Sequence, residues 1–234
     1  LEKILKNDPG IQILILCNPH NPTGLVLKKH ELDQIINLCR EYNLILLSDE
    51  IHSDFIYKES THIPTLSIEG ADSVTVTLTS GAKSFALAGM RCAVAITGNY
   101  LLKEKLLNVP KFLVGGANRM GCEATIAAWE TGSRWMDDLI HILDDQRLRL
   151  KSRLDEEIPK AKMFMPDSTF LAWIDLSEFN PGENPAKWLR EKTGIACGNG
   201  PDFGSGGENH IRLTFGTSVN LLDEMIGKIV KGLA

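Results

Sequence analysis

Three short apolar runs, each closed by a cluster of polar residues, constrain this chain more than any other feature. Residues 11–17, 44–48 and 73–79 are rich in Ile, Leu, Val and Thr, and each has the length of a β-strand. They run into Asn18-Pro-His-Asn-Pro-Thr-Gly24, Ser48-Asp-Glu-Ile-His52 and Thr79-Ser-Gly-Ala-Lys83. Between the first two runs, residues 28–42 place Leu32, Ile35, Ile36 and Cys39 on one face at helical spacing, and Asn43 closes that helix. Strand, helix and strand in so short a span predict two parallel strands joined by a right-handed crossover. The Ile/Leu-rich run 11–17 predicts a strand buried on both faces.

Further along, residues 92–97 predict a strand, and 100–109 and 117–129 predict helices. A long charged amphipathic helix follows over 135–157 and stops before Pro159. The pattern then changes to strands at 161–164, 169–175 and 211–215, with helices at 186–193 and 221–233. This order predicts an α/β fold: a mainly parallel sheet with helices on both faces, then a smaller α+β domain. The expected boundary lies between residues 1–135 and 136–234.

Bulk properties narrow the class. A net charge of −5 gives no reason to expect a nucleic-acid partner, and no helix-turn-helix pattern is present. The longest apolar run is far too short to cross a bilayer, and no charged-then-apolar signal segment opens the sequence. Five scattered cysteines (Cys17, Cys39, Cys92, Cys122 and Cys197) without a C-x-x-C pair suit thiols in a reducing compartment, hence the cytoplasm, better than disulfides or zinc. The sequence opens at Leu1 without an initiator Met and nearly inside a helix-like run, which reads as a piece of a longer protein.

In an open parallel sheet, ligands sit beyond the carboxyl ends of the strands. Here that edge gathers the amide of Asn21, the carboxylate of Asp49, the imidazole of His52, the hydroxyl of Ser80 and the amine of Lys83. Each has a plainer reading alone. Lys83 suits a surface lysine, Asp49 a helix N-cap, Asn21 and Ser80 turn residues, His52 a packed structural histidine. Arg91 suits a surface ion pair, and Arg212 a strand charge with a local partner.

Taken together, Cys17-Asn-Pro-His-Asn-Pro-Thr-Gly24, Ser48-Asp-Glu-Ile-His52, Ser80-x-x-Lys83 and Arg91 resemble fold-type I pyridoxal 5′-phosphate (PLP) enzymes of aminotransferase class I/II. Within that group the Asn-Pro-His and Asp-Glu-Ile-His forms are similar to the MalY/PatB branch, the cystathionine β-lyase-like carbon–sulfur lyases. The resemblance implies that Lys83 is the Schiff-base lysine and the group that moves the substrate α-proton. It implies that Asp49 pairs with the pyridine nitrogen, that Asn21 and His52 donate to the ring oxygen, and that Ser80 and Arg91 hold the phosphate. His52 stands where many aminotransferases carry Tyr, whereas Arg91 departs from the uncharged residue frequent in this branch. Near the far end, Asn209-His-Ile-Arg-Leu-Thr-Phe215 resembles the segment whose arginine, here Arg212, takes the substrate carboxylate bidentately. The Gly-rich run before it, 198–207, resembles the family's Pro-Gly-x-x-Phe-Gly loop.

The implied activity is β-elimination of a thiolate from an amino acid, as in cystathionine cleavage. Transamination from the same carbanion is the alternative, and a non-catalytic PLP-binding or regulator effector domain is the alternative from another class. The resemblance further implies a homodimer, and that the chain is the C-terminal portion of such an enzyme.

Overall fold

The computed structural model describes residues 1–233. By internal contact the chain divides into two units. One comprises Leu1–Pro19, Val26–Ile56 and Ser60–Met136; the other comprises His20–Leu25, Tyr57–Glu59 and Asp137–Ala234.

The first unit opens with α1 (Glu2–Asn7), followed by β1 (Ile13–Cys17), α2 (Lys29–Glu41), β2 (Ile45–Asp49) and β3 (Thr75–Thr79). Next come the short α3 (Gly81–Ser84), β4 (Val94–Ile96), α4 (Tyr100–Leu107), α5 (Lys111–Val114) and α6 (Arg119–Thr131). The sheet order is β1-β2-β3-β4. The first three strands are parallel and β4 runs antiparallel to β3. Glu31 begins α2 by accepting a hydrogen bond from the Lys28 N–H at 2.8 Å. Asn43 ends it by taking the left-handed conformation (φ 54°) that its short polar side chain tolerates. Leu32, Ile36 and Cys39, spaced four and three apart, are buried and meet Leu5, Leu44, Leu46, Ile68 and Ala71.

One expectation fails. β1 is not buried on both faces: Ile13 and Ile15 alternate onto one face and are 51% and 71% exposed. The same face is covered further into the sheet, where Val76 of β3, in register with Leu47 and Ile15, is buried, whereas β1 is the edge strand. An apolar run reports that a strand can be buried twice, not that two layers exist to bury it.

The second unit takes most of α7 (Ser133–Glu157), then β5 (Lys162–Phe164), β6 (Leu171–Asp175), α8 (Pro185–Thr193), β7 (Gly198–Asn199), β8 (His210–Thr214) and α9 (Val219–Leu233). Its sheet is antiparallel in the order β5-β6-β8-β7. Ala172, Ile174, Ile211 and Leu213 face the core, whereas Trp173 and Arg212 stand opposite each other on the other face. Asn184 caps α8 through Lys187 N, Pro185 occupies its first turn, and Gly194 closes it at φ 75°.

Surface ion pairs along α7, such as Lys151–Asp155 and Arg153–Glu157, add little. Its buried Leu150 and Leu154 dominate, since truncating such a side chain costs about 2–5 kcal/mol. Among the described residues, no helix is long and apolar enough to cross a membrane.

The α2 packing is directly testable. Ile36→Ala, at a site 1% exposed, is expected to lower unfolding free energy by about 2–5 kcal/mol, read as an earlier urea midpoint at unchanged slope. A loss below about 1 kcal/mol would mean that α2 does not carry this core.

Candidate active site

The parallel strands of the first unit end together. β1 is aligned with β2 so that Cys17 pairs with Asp49, and β2 with β3 so that Asp49 pairs with Leu78. Two backbone bonds continue across the edge: Asn18 N–H donates to Asp49 O at 3.0 Å, and Glu50 N–H donates to Leu78 O at 2.9 Å. The polar residues after each strand therefore emerge side by side.

Asp49, half-buried, ends β2 rather than capping a helix, and its Oδ1 accepts from Ile51 N–H at 3.1 Å. His52 is buried and packs against Phe55, ring centroids 6.0 Å apart. Ser80 is the N-cap of α3: its Oγ accepts from Ala82 N–H at 3.0 Å and donates to Cys92 O at 2.5 Å. That second bond draws the Arg91 segment to the turn that carries Lys83. Arg91 is exposed in the left-handed region (φ 50°), and Lys83 projects exposed from α3. Ser84, fully buried beside Lys83, donates to the Asp54 carboxylate, which binds the Lys83 turn to the segment after β2. Asp49, His52, Ser80, Lys83 and Arg91 thus share one edge of the first unit.

Two adjacent carboxylates have opposite fates here. Strand alternation turns Glu50 away from Asp49 into the interior, where it is 4% exposed. Glu50 Oε1 accepts from Ser48 Oγ and Thr65 N–H, both at 3.0 Å, and Oε2 lies 3.1 Å from His62 Nε2. Burial pushes the Glu50 carboxyl up, but the hydrogen bonds from His62 and Thr65 outweigh it and hold it below its ordinary 4.5. The motif Asp-Glu-Ile-His did not single out Glu50. The period-2 alternation of the strand was the signal that could have done so.

The second unit holds the remaining two residues. Asn21 lies in a segment whose two prolines, Pro19 and Pro22, follow cis peptide bonds. His20 Nδ1 lies 2.8 Å from Thr23 Oγ1, and burial lowers the imidazole pKa. Arg212, half-buried on β8, donates from Nη1 to Asn21 Oδ1 at 2.9 Å, so two residues far apart in sequence meet. The Gly-rich run forms β7 and a tight turn, Gly200–Phe203. It closes where Gly200 and Gly207 pass back to back: a Cβ on Gly200 would lie 2.2 Å from Gly207 O, a contact only glycine avoids.

A profile of aminotransferase class I and II matches residues 1–229, and the chain belongs to that family. It is 32% identical over 232 residues to cystathionine beta-lyase PatB of Bacillus subtilis, covering 97% of this chain and 60% of that protein. To protein MalY of Escherichia coli it is 31% identical over 236 residues, covering 100% and 60%. The crystal structure of the PLP-bound C-S lyase from Staphylococcus hominis superposes with a TM-score of 0.89 at 30% identity, over 99% of this chain and 60% of that one. The fold is accordingly that of the PLP-dependent fold-type I enzymes. The chain spans about 60% of the length of the curated relatives it matches.

The Glu50 network yields a pH-dependent expectation. A carboxyl whose folded pKa lies below 4.5 contributes stability that is complete above that value and is lost as pH falls through the folded pKa. Glu50→Gln, which keeps the shape but not the charge, should cost about 1–3 kcal/mol at neutral pH. In urea titrations repeated toward about pH 4 and below, the gap between wild type and variant should shrink. An equal gap at every pH would show that Glu50 is not held ionised.

Proposed function

We propose that the intact protein is a PLP-dependent carbon–sulfur β-lyase of the cystathionine β-lyase type, acting on an amino acid. The carrying observation is the sheet edge of the first unit. It presents the Asp49 carboxylate, the Lys83 amine and the Arg91 guanidinium together, yet among the described residues none of the three is in an ion pair. Charges of both signs held near one another without neutralising each other suit a ligand that supplies the complementary groups. PLP fits that donor set: a phosphate for Arg91 and the α3 turn, a pyridinium for Asp49, an aldehyde for Lys83. When bound, it would supply an electron sink for the pair left at the substrate α-carbon.

The chain's own residues then have defined tasks. Lys83 Nζ would hold the cofactor, and it is the group placed to take up the substrate α-proton. Ser84, through Asp54, fixes the turn from which Lys83 acts. Asp49 would hold the pyridine nitrogen in its protonated form, and His52 and the Asn21 amide N–H would donate to the ring oxygen. Ser80, whose hydroxyl is engaged with Cys92 O, acts by shaping the phosphate-binding turn and presenting its N–H groups. Arg212 takes the α-carboxylate, its guanidinium steadied by Asn21 Oδ1. With the α-proton on Lys83, the electron pair left at the α-carbon would form the Cα–Cβ double bond as the Cβ–S bond breaks, and the thiolate would leave with the C–S pair.

The relatives named for cystathionine β-lyase and C-S lyase activity favour elimination over transamination. Five cysteines, none of them in a disulfide, support a reducing compartment, the cytoplasm. On the same resemblance the first unit is part of the large PLP-binding domain, the second includes the small domain, and the working form is a homodimer.

In the full-length protein, borohydride reduction with PLP followed by peptide mapping should label Lys83. Lys83→Ala should lose both the label and the absorbance band of the linked cofactor. Pyruvate release from cystathionine should exceed keto-acid-dependent amino transfer. The opposite ratio would replace the lyase by an aminotransferase, and an unlabelled Lys83 would leave a non-catalytic domain.

A further inference from the structure

We propose that Phe203 is a positioning residue for Arg212: its ring orients the guanidinium that reads the substrate carboxylate. The inference rests on the carboxylate role given to Arg212 above, and names what sets that group's geometry.

Arg212 has no carboxylate partner among the described residues. Its guanidinium carbon instead lies 4.7 Å from the centroid of the Phe203 ring, and its Nη1 donates to the neutral Asn21 amide at 2.9 Å. Neither partner carries a negative charge, so the positive charge and most of the N–H donors stay available to an incoming anion. A local Asp or Glu would have competed for the same donors. An aromatic face steadies a planar cation without that competition.

The ring is itself held. Phe203 meets Trp173 edge to face, centroids 5.6 Å apart at 87°, and Trp173 stacks on His210 at 5.0 Å and 14°. Trp173 is the β6 residue directly opposite Arg212 and is 6% exposed, so the platform is anchored in the sheet. Gly198, opposite Arg212 on the other side, supplies an independent observation. A Cβ there would lie 3.3 Å from Arg212 Cβ, 3.4 Å from Arg212 Nε and 3.5 Å from Phe203 Cε2. A side chain at that position would crowd the arginine stem while touching the ring, so glycine leaves the pair its room. Holding the guanidinium before the substrate arrives spares rotamer freedom that binding would otherwise remove.

The test uses the full-length holoenzyme and the ratio of kcat/KM for an S-alkyl-L-cysteine to that for its carboxamide, which keeps the scissile bond and loses the carboxylate charge. Phe203→Leu and Phe203→Met both keep apolar bulk and remove the ring. Each is expected to lower the ratio by about 10-fold, through KM for the acid, with the absorbance of the linked cofactor unchanged. Phe203→Tyr, which keeps the ring face, should retain the wild-type ratio. Arg212→Gln should abolish the preference. If Arg212→Gln abolishes it while the ring-less variants keep the wild-type ratio, Phe203 has only a structural part and the inference is overturned. Equal loss on both substrates in those variants overturns it as well. If Arg212→Gln leaves the ratio intact, the carboxylate reading itself fails.

Discussion

The parallel pairing of β1, β2 and β3 is the constraint on which the first unit depends. Parallel strands leave the sheet at the same edge, so residues that follow them in sequence by dozens of positions become neighbours. The ladder runs one step beyond the strands, through Asn18 N to Asp49 O and Glu50 N to Leu78 O, which fixes where each polar segment starts. The Ser84–Asp54 bond then ties the segment after β3 to the segment after β2, and the Ser80–Cys92 bond folds the start of β4 back onto the same turn. A register slip of one residue would exchange the faces of Asp49 and Glu50. It would bury the carboxylate proposed for the cofactor and expose the one that now holds His62.

Chemically alike groups take different parts because of what surrounds them. Asp49 ends a strand and accepts from a local backbone donor, whereas Glu50, next in sequence, is enclosed and held by Ser48, Thr65 and His62. Two arginines of the second unit show the same contrast. Arg147, 3% exposed, donates to Asp144, Glu59 and Pro166 O and lies 3.9 Å from the Tyr57 ring centroid. Its charge is neutralised by two carboxylates, and removing a partner would strand a buried ion. Arg212 sits on an amide and a phenyl ring, both neutral, and keeps its charge for a ligand.

The sequence alone determined the elements and their order. Helical spacing located α2 and α9, the apolar runs located β1 to β3, and the turn residues Asn43 and Pro159 marked where segments stop. These signals are local, and local backbone preference and amphipathic period are what a linear sequence records. The three polar clusters likewise bring Asp49, His52, Ser80 and Lys83 to one sheet edge, because parallel topology converts spacing into proximity, whereas Asn21, expected at that edge, belongs to the second unit.

Tertiary structure alone decided the rest. It left one face of β1 open, since an apolar run cannot say how many layers will pack on it. It separated Arg147 from Arg212, because partners 88 or 191 positions away are chosen by packing. It also set Phe203 beneath Arg212. In the sequence that residue is one member of a Gly-rich run, and only the closure of Gly200 on Gly207 and the crossing of β6, β8 and β7 bring its ring to the guanidinium. Residue type and period fix what a segment can form. Which charge is spent on the fold and which stays free depends on contacts between segments, and those exist only once the chain has closed on itself.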